Sequence, residues 1–191
     1  MKPSLPIQPL ATSRLLRWLL PLLVLLVGVA CVAWQQRVAP YTTVYIVRHG
    51  EKDLTPNLPD PLLTSAGQQR AQDLQKALGK RPVSAIFSTA TSRTRGTVEP
   101  LATARKLAIE PYDARQLPAL AARIRREYAG QIVVVVGHSN TILETAEALG
   151  AVRPVPTVQD NEYDYLLEVR VPRDTTKTAK ATARRYGQAT R

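Results

Sequence analysis

The chain has 191 residues, a formal net charge of +11, 45% hydrophobic residues, two histidines and a single cysteine. That hydrophobic share excludes a disordered polyelectrolyte, one cysteine excludes a disulfide framework, and two separated histidines without an acidic cluster exclude zinc or calcium spacing. The charge is concentrated at the ends: residues 1–40 hold four basic and no acidic groups, 41–172 hold sixteen and fourteen, and 173–191 hold six and one. The middle is therefore nearly balanced, which argues against a nucleic-acid module.

In chain order, residues 1–17 carry Lys2, Arg14 and Arg17 and are expected to lie in the cytoplasm. Trp18 to Trp34 contains no charged residue and is rich in leucine and valine. As a helix it would span about 25 Å, short but usable against a hydrocarbon core of about 30 Å. The expectation is a membrane anchor over 18–34 with the domain facing outwards, periplasmic in a Gram-negative cell. A cleaved signal peptide is the alternative, with Gly28-Val29-Ala30 as the cleavage site and a secreted product; Cys31 adds a lipoprotein reading, against which Gly28 is a poor match. Residues 35–40 read as a linker.

Residues 41–172 read as one domain. Apolar runs near Thr43 to Arg48, Ala85 to Ser88, Ala108 to Pro111, Ile132 to Val136 and Tyr165 to Val171 predict strands. Between them, Thr64-Ser65-Ala66-Gly67 opens a helix whose Ala71, Leu74, Ala77 and Leu78 recur at helical spacing before Gly79. Arg93 falls on a second helix, and Leu117 to Tyr128 and Thr141 to Leu149 read as two more. Alternation of strands and helices predicts an α/β fold with a mainly parallel sheet. Residues 173–191, rich in threonine, alanine and basic residues, read as a disordered tail.

Both histidines follow strands. Arg48-His49-Gly50-Glu51 closes the first, and Gly137-His138-Ser139 closes the fourth. The C-terminal ends of strands are where α/β folds place ligands. A histidine at one turn is commonly a plain polar residue; two at two strand ends, each beside a glycine, point to one site. A neutral imidazole is a competent nucleophile towards phosphorus, and guanidinium groups suit the charge of a phosphoryl group in transit. His49 is thus the candidate nucleophile, with Arg48, Arg93 and His138 as donors to the phosphoryl oxygens and Ser139 and Glu51 beside them. Thr91-Ser92 and Ser139-Asn140-Thr141 are expected to cap helices whose free N–H groups point into the pocket.

The block Tyr41 to Lys52, the segment Ser88-Thr89-Ala90-Thr91-Ser92-Arg93-Thr94-Arg95-Gly96-Thr97 and Gly137-His138-Ser139 resemble, in order, three motifs of the histidine phosphatase superfamily, the phosphoglycerate-mutase-like proteins of branch 1. The resemblance spans Tyr41 to Val171, and the chain's small size is similar to the SixA-like phosphatases. It implies a three-layer sandwich with helices on both faces of the sheet, a phosphohistidine intermediate and no metal or other cofactor. It also implies a carboxylic acid to protonate the leaving alkoxide, for which Asp113 is the closest match and Glu110 second. The chain departs from the family at Thr89-Ala90 and at Thr94, where relatives often carry alanine, while Thr97 matches and supports the register that selects Arg93 over Arg95.

The resulting expectation is a membrane-anchored, metal-independent phosphomonoester hydrolase acting on a phosphorylated small molecule or an envelope component. The alternatives are a non-catalytic phosphate or phospholipid-headgroup binding module of the same fold and a phosphohistidine protein phosphatase. A mutase is disfavoured by the absence of long insertions.

Overall fold

The computed structural model describes residues 39–190, so the apolar stretch 18–34 and the segments around it lie outside the described residues. Among the described residues no helix is long and apolar enough to cross a membrane.

Six strands alternate with four helices: β1 (Tyr41–Arg48), α1 (Ser65–Leu78), β2 (Val83–Ser88), α2 (Ser92–Arg105), β3 (Ile109–Pro111), α3 (Leu117–Glu127), β4 (Ile132–Gly137), α4 (Ile142–Ala148), β5 (Tyr165–Pro172) and β6 (Lys180–Arg185). They form one sheet in the order β3-β2-β4-β1-β5-β6. The pairs β3/β2, β2/β4 and β4/β1 are parallel, whereas β5 returns antiparallel to β1 and β6 antiparallel to β5.

The strands at the centre are apolar on both faces because both faces are covered. Val44, Ile46, Val133 and Val135 face a core built with Leu120, Ile124, Ile142 and Leu143 of α3 and α4. Tyr45, Val47, Val134 and Val136 face the opposite core, built with Leu74, Leu78, Val98 and Leu101 of α1 and α2. This is the expected three-layer arrangement, and the β-branched runs of β1 and β4 are its middle layer. Truncating a wholly buried residue such as Leu74 to alanine would cost about 2–5 kcal/mol.

The tail departs from its sequence reading. Residues 173–191 were expected to be disordered, yet Lys180–Arg185 pairs with β5 from Arg170↔Lys180 to Tyr165↔Arg185. Beyond it Tyr186 is 4% exposed, and its backbone N–H donates to the Asp164 carbonyl. The physical reason is an unfilled sheet edge: β5 offers a row of backbone groups, and Ala179, Ala181 and Ala183 turn small apolar side chains onto the core while lysine and arginine face water. The domain boundary expected at residue 172 therefore falls too early.

Tight backbone contact positions the first helix. A Cβ on Gly50 would lie 2.9 Å from the Gly67 carbonyl oxygen, and one on Gly67 would lie 2.2 Å from that of Glu51. Only glycine lets the first turn of α1 rest directly on the turn that follows β1.

Candidate active site

β1 and β4 are adjacent and parallel, with Arg48 registered against Gly137, so their C-terminal ends deliver both histidines to one place. The rings of His49 and His138 lie 5.5 Å apart between centroids, edge to face. They line a cavity of about 790 Å³ together with Arg48, Glu51, Arg93 and Ser139. Six of the seven sequence-selected site residues are thus brought together; Asp113 is not among the lining residues.

His49 is 3% exposed, and its backbone N–H donates to the Gly137 carbonyl, which fixes the turn against β4. Its Nδ1 lies 2.7 Å from the Gly50 carbonyl oxygen. A carbonyl only accepts, so Nδ1 carries the proton and Nε2 keeps its lone pair. Burial, reinforced by the positive charges of Arg48 and Arg93 and outweighing the Gly50 hydrogen bond, depresses the imidazole pKa to about 3. The ring is neutral at ordinary pH, the state a nucleophile requires. Gly50 N–H donates in turn to Thr97 Oγ1 at 2.9 Å, and Thr97 Oγ1–H donates to the Arg93 carbonyl at 2.7 Å, so α2 braces the turn that carries His49.

Arg48 is 5% exposed, and burial lowers its pKa. Its Nη1 donates to the carbonyls of Gln159, Asp160 and Glu162 at 3.0, 2.9 and 3.1 Å, and its guanidinium stacks 4.1 Å from the Tyr163 ring centre. Arg93 approaches Asp60 at 3.7 Å. Nε of Arg48 and Nε of Arg93 are buried without an acceptor among the described residues. Nε of Arg105 and the Tyr186 hydroxyl share that condition, but neither residue lines the cavity. A buried donor left unpaired costs about 1–3 kcal/mol, a cost that an anion reaching both would relieve.

His138 is oriented by threonines. Its Nε2 lies 3.1 Å from Thr89 Oγ1, which lies 3.0 Å from Thr94 Oγ1, which in turn reaches the Thr89 and Thr91 carbonyls at 3.0 and 2.9 Å. With the Thr94 proton on a carbonyl, Thr89 donates to Thr94 and accepts from His138, so the neutral ring carries its proton on Nε2. The two threonines that depart from the family pattern are therefore the ones that set this tautomer. Burial first, then Arg93, Arg48 and Lys52, lowers the His138 pKa.

Several sequence expectations need correction. Asp113 is bound to Arg115, which donates from Nη2 at 2.9 Å, from Nε and from its backbone N–H, and these bonds lower its pKa. A general acid needs a place in the cavity, within reach of the leaving oxygen, and Asp113 is turned away from it towards Arg115. Glu110 is engaged by Arg123 and by Tyr128 at 3.0 Å and does not line the cavity either. The two helix N-termini are also occupied: Ser92 N–H donates to Asp60 at 2.9 Å, and the N–H groups of Thr141 and Ile142 donate to the His138 carbonyl. Glu51 holds Arg70 through Nε and Nη2 at 2.9 and 2.6 Å, and so is a partner of α1 as well as a wall of the cavity. Arg95 is exposed on the far side of its helix turn from Arg93, consistent with the chosen register.

Other lining residues were not selected from sequence: Lys52, Leu54, Asn140, Asp160, Asn161, Tyr163 and Thr190. Asn161 and Tyr163 belong to an acidic and aromatic stretch that leads into β5. Asp160 and Thr190 carried no motif at all.

Comparison with known proteins follows this geometry. The histidine phosphatase superfamily (branch 1) matches residues 44–116, which include Arg48, His49 and Arg93. Among solved structures, the protein histidine phosphatase SixA complexed with tungstate is 16% identical, with a TM-score of 0.56 over 76% of this chain and 96% of that one. A mycobacterial glucosyl-3-phosphoglycerate phosphatase is 14% identical, with a TM-score of 0.58 over 78% of this chain and 100% of that one. Mycobacterial hydrolase 2 is 15% identical, with a TM-score of 0.58 over 79% and 92%. At these identities the likeness is one of fold. No curated protein sequence matches the chain. The family match covers the segments carrying Arg48, His49 and Arg93, and the described domain shares the fold of these phosphatases.

Proposed function

We propose that the protein hydrolyses phosphomonoesters, without a metal, through a phosphohistidine on His49. The observation that carries this reading is the His49 ring, neutral and with Nδ1–H committed to Gly50, so that an unprotonated Nε2 is left in the cavity. The unpaired Nε–H groups of Arg48 and Arg93 support it, as donors for two phosphoryl oxygens. In the first step the Nε2 lone pair forms the N–P bond while the ester P–O bond breaks, and the departing alkoxide takes a proton. In the second, water attacks the phosphorus, the N–P bond breaks, and phosphate leaves with the imidazole restored.

The proton has a source of the right type. The carboxylates lining the cavity are Glu51 and Asp160. Glu51 is held by Arg70 through two nitrogens, whereas among the described residues the Asp160 carboxylate meets Ser139 Oγ alone, at 3.5 Å. Asp160 is our assignment for the acid that protonates the alkoxide and, as carboxylate, recovers a proton from the attacking water.

The test uses the full chain in a nonionic detergent with p-nitrophenyl phosphate, in the presence and absence of chelator. Turnover unaffected by chelator is expected, and His49→Ala should lose at least about a thousandfold. Binding of phosphate without turnover of this activated ester would instead identify an anion-binding module that has lost catalysis.

A further inference from the structure

Among the described residues, the exposed large apolar side chains are not spread evenly. Leu54, Leu58 and Leu62 are 76%, 43% and 66% exposed and share one loop, between β1 and α1. Single exposed leucines are ordinary on a protein surface. These three share the connection between Arg48 and Ser65, which reaches the cavity wall at Leu54.

The loop is held in place by polar contacts rather than by burying these leucines. Lys52 and Leu63 form an antiparallel bridge, and Asp53 N–H donates to the Leu62 carbonyl at 2.9 Å. Asp53 also accepts from Thr55 N–H and Oγ–H at 2.8 and 2.7 Å, ordering the first turn. Further along, Asp60 accepts from Ser92 N–H at 2.9 Å and from Ser92 Oγ–H at 2.6 Å, and lies 3.7 Å from Arg93 Nη1. The loop is thereby clasped to the helix that carries a phosphoryl-binding arginine. Leu54 lines the same cavity as His49 and Arg48.

A cationic floor with an apolar rim is complementary to one kind of molecule: an anionic head joined to an apolar chain. We infer that the substrate is the phosphomonoester of an aliphatic alcohol, its phosphoryl group on Arg48 and Arg93 and its chain laid across Leu54 towards Leu58 and Leu62. Desolvating a chain against those leucines recovers the burial that the loop forgoes in the free protein. The apolar run Trp18 to Trp34, which the sequence suggests as a membrane anchor, would keep the enzyme where such amphiphiles concentrate. This inference rests on the reading of the cavity as a phosphomonoesterase site.

It is tested with n-alkyl phosphates from ethyl to octyl and the full chain in one nonionic detergent. The parent is compared with a triple variant, Leu54→Ser, Leu58→Ser, Leu62→Ser. Detergent partitioning affects both proteins equally, so the parent-to-variant ratio of kcat/KM isolates the loop. A fully buried methylene would contribute roughly fourfold, and partial burial about twofold, so over six added methylenes the ratio should grow roughly sixtyfold. Val152→Ser, at an exposed apolar residue outside this loop, should keep the parent's dependence on chain length. A ratio that stays flat from ethyl to octyl, while the parent still turns over p-nitrophenyl phosphate, overturns the inference alone and points to a polar substrate. Loss of turnover on p-nitrophenyl phosphate itself would overturn the hydrolase reading and this inference with it.

Discussion

The floor and the rim of the cavity are built by different means. The floor, Arg48, His49 and His138, stands at the ends of two central parallel strands whose residues are buried on both faces, and the protonation equilibrium of its histidines is displaced by that burial. The rim is loop and tail: Leu54, Asp160, Tyr163 and Thr190, held by side-chain bonds to backbone and to one another. A fold of this kind can keep its chemistry constant in the sheet while the loops vary what is admitted.

The sharpest way to break that division is to find chemistry on the rim. Asp160, a rim residue, is assigned the proton of the leaving alkoxide, so Asp160→Asn should slow an alkyl phosphate about a hundredfold and p-nitrophenyl phosphate by less than about threefold. Asp113→Asn, altering an exposed carboxylate paired with Arg115, should leave both rates unchanged. Equal slowing of both substrates by Asp160→Asn would remove that residue from proton transfer and return the rim to a purely selective role.

A second experiment measures what the floor costs. His49 is neutral in the fold down to about pH 3, whereas an unfolded histidine takes up a proton near 6.5. The unfolded state therefore binds more protons between those values, and stability falls as pH falls through that window. Between pH 7.5 and pH 5 the loss from this residue is about 2 kcal/mol. Urea unfolding of the parent and of His49→Gln, followed by circular dichroism at both pH values, should show the parent losing that much more than the variant. Equal losses would mean that the His49 environment is wetter than its 3% exposure implies.

The same division explains what could be read from sequence. Strand β1 is a β-branched run ending in Arg-His-Gly and β4 is a valine run ending in Gly-His, and parallel pairing of two such strands leaves little choice about where the histidines meet. Arg93 follows from a helical spacing that Thr97 confirms by its bond to Gly50. The acid is not legible in the same way, because the closest match to the family's acid, Asp113, follows β3 where the chain turns outwards to meet Arg115. The tail is hard to read because an edge strand facing water, such as β6, has the composition of a solvated segment. Its one legible signal was the alternation of Ala179, Ala181 and Ala183, a period of two, followed by the aromatic Tyr186.

That tail supplies the subtlest test of the rim. Thr190 Oγ1–H donates to Asp164 at 2.8 Å, and the same oxygen accepts from Tyr163 N–H at 3.0 Å. Asp164 is 2% exposed and is also held by Arg185 of β6, so the end of the sheet fixes the backbone of the residue whose ring stacks on Arg48. Thr190→Val preserves shape and removes both bonds. Each is worth about 1 kcal/mol net, so a site loosened by one of them should show a KM for p-nitrophenyl phosphate raised about fivefold, with kcat within about twofold. Thr190→Ser, which restores the hydroxyl, should return KM to the parent's value. A change that serine does not rescue would assign the effect to packing, and an unchanged KM would detach the tail from the site. The expected pattern, binding altered while the chemical step is spared, is what a rim built separately from its floor requires.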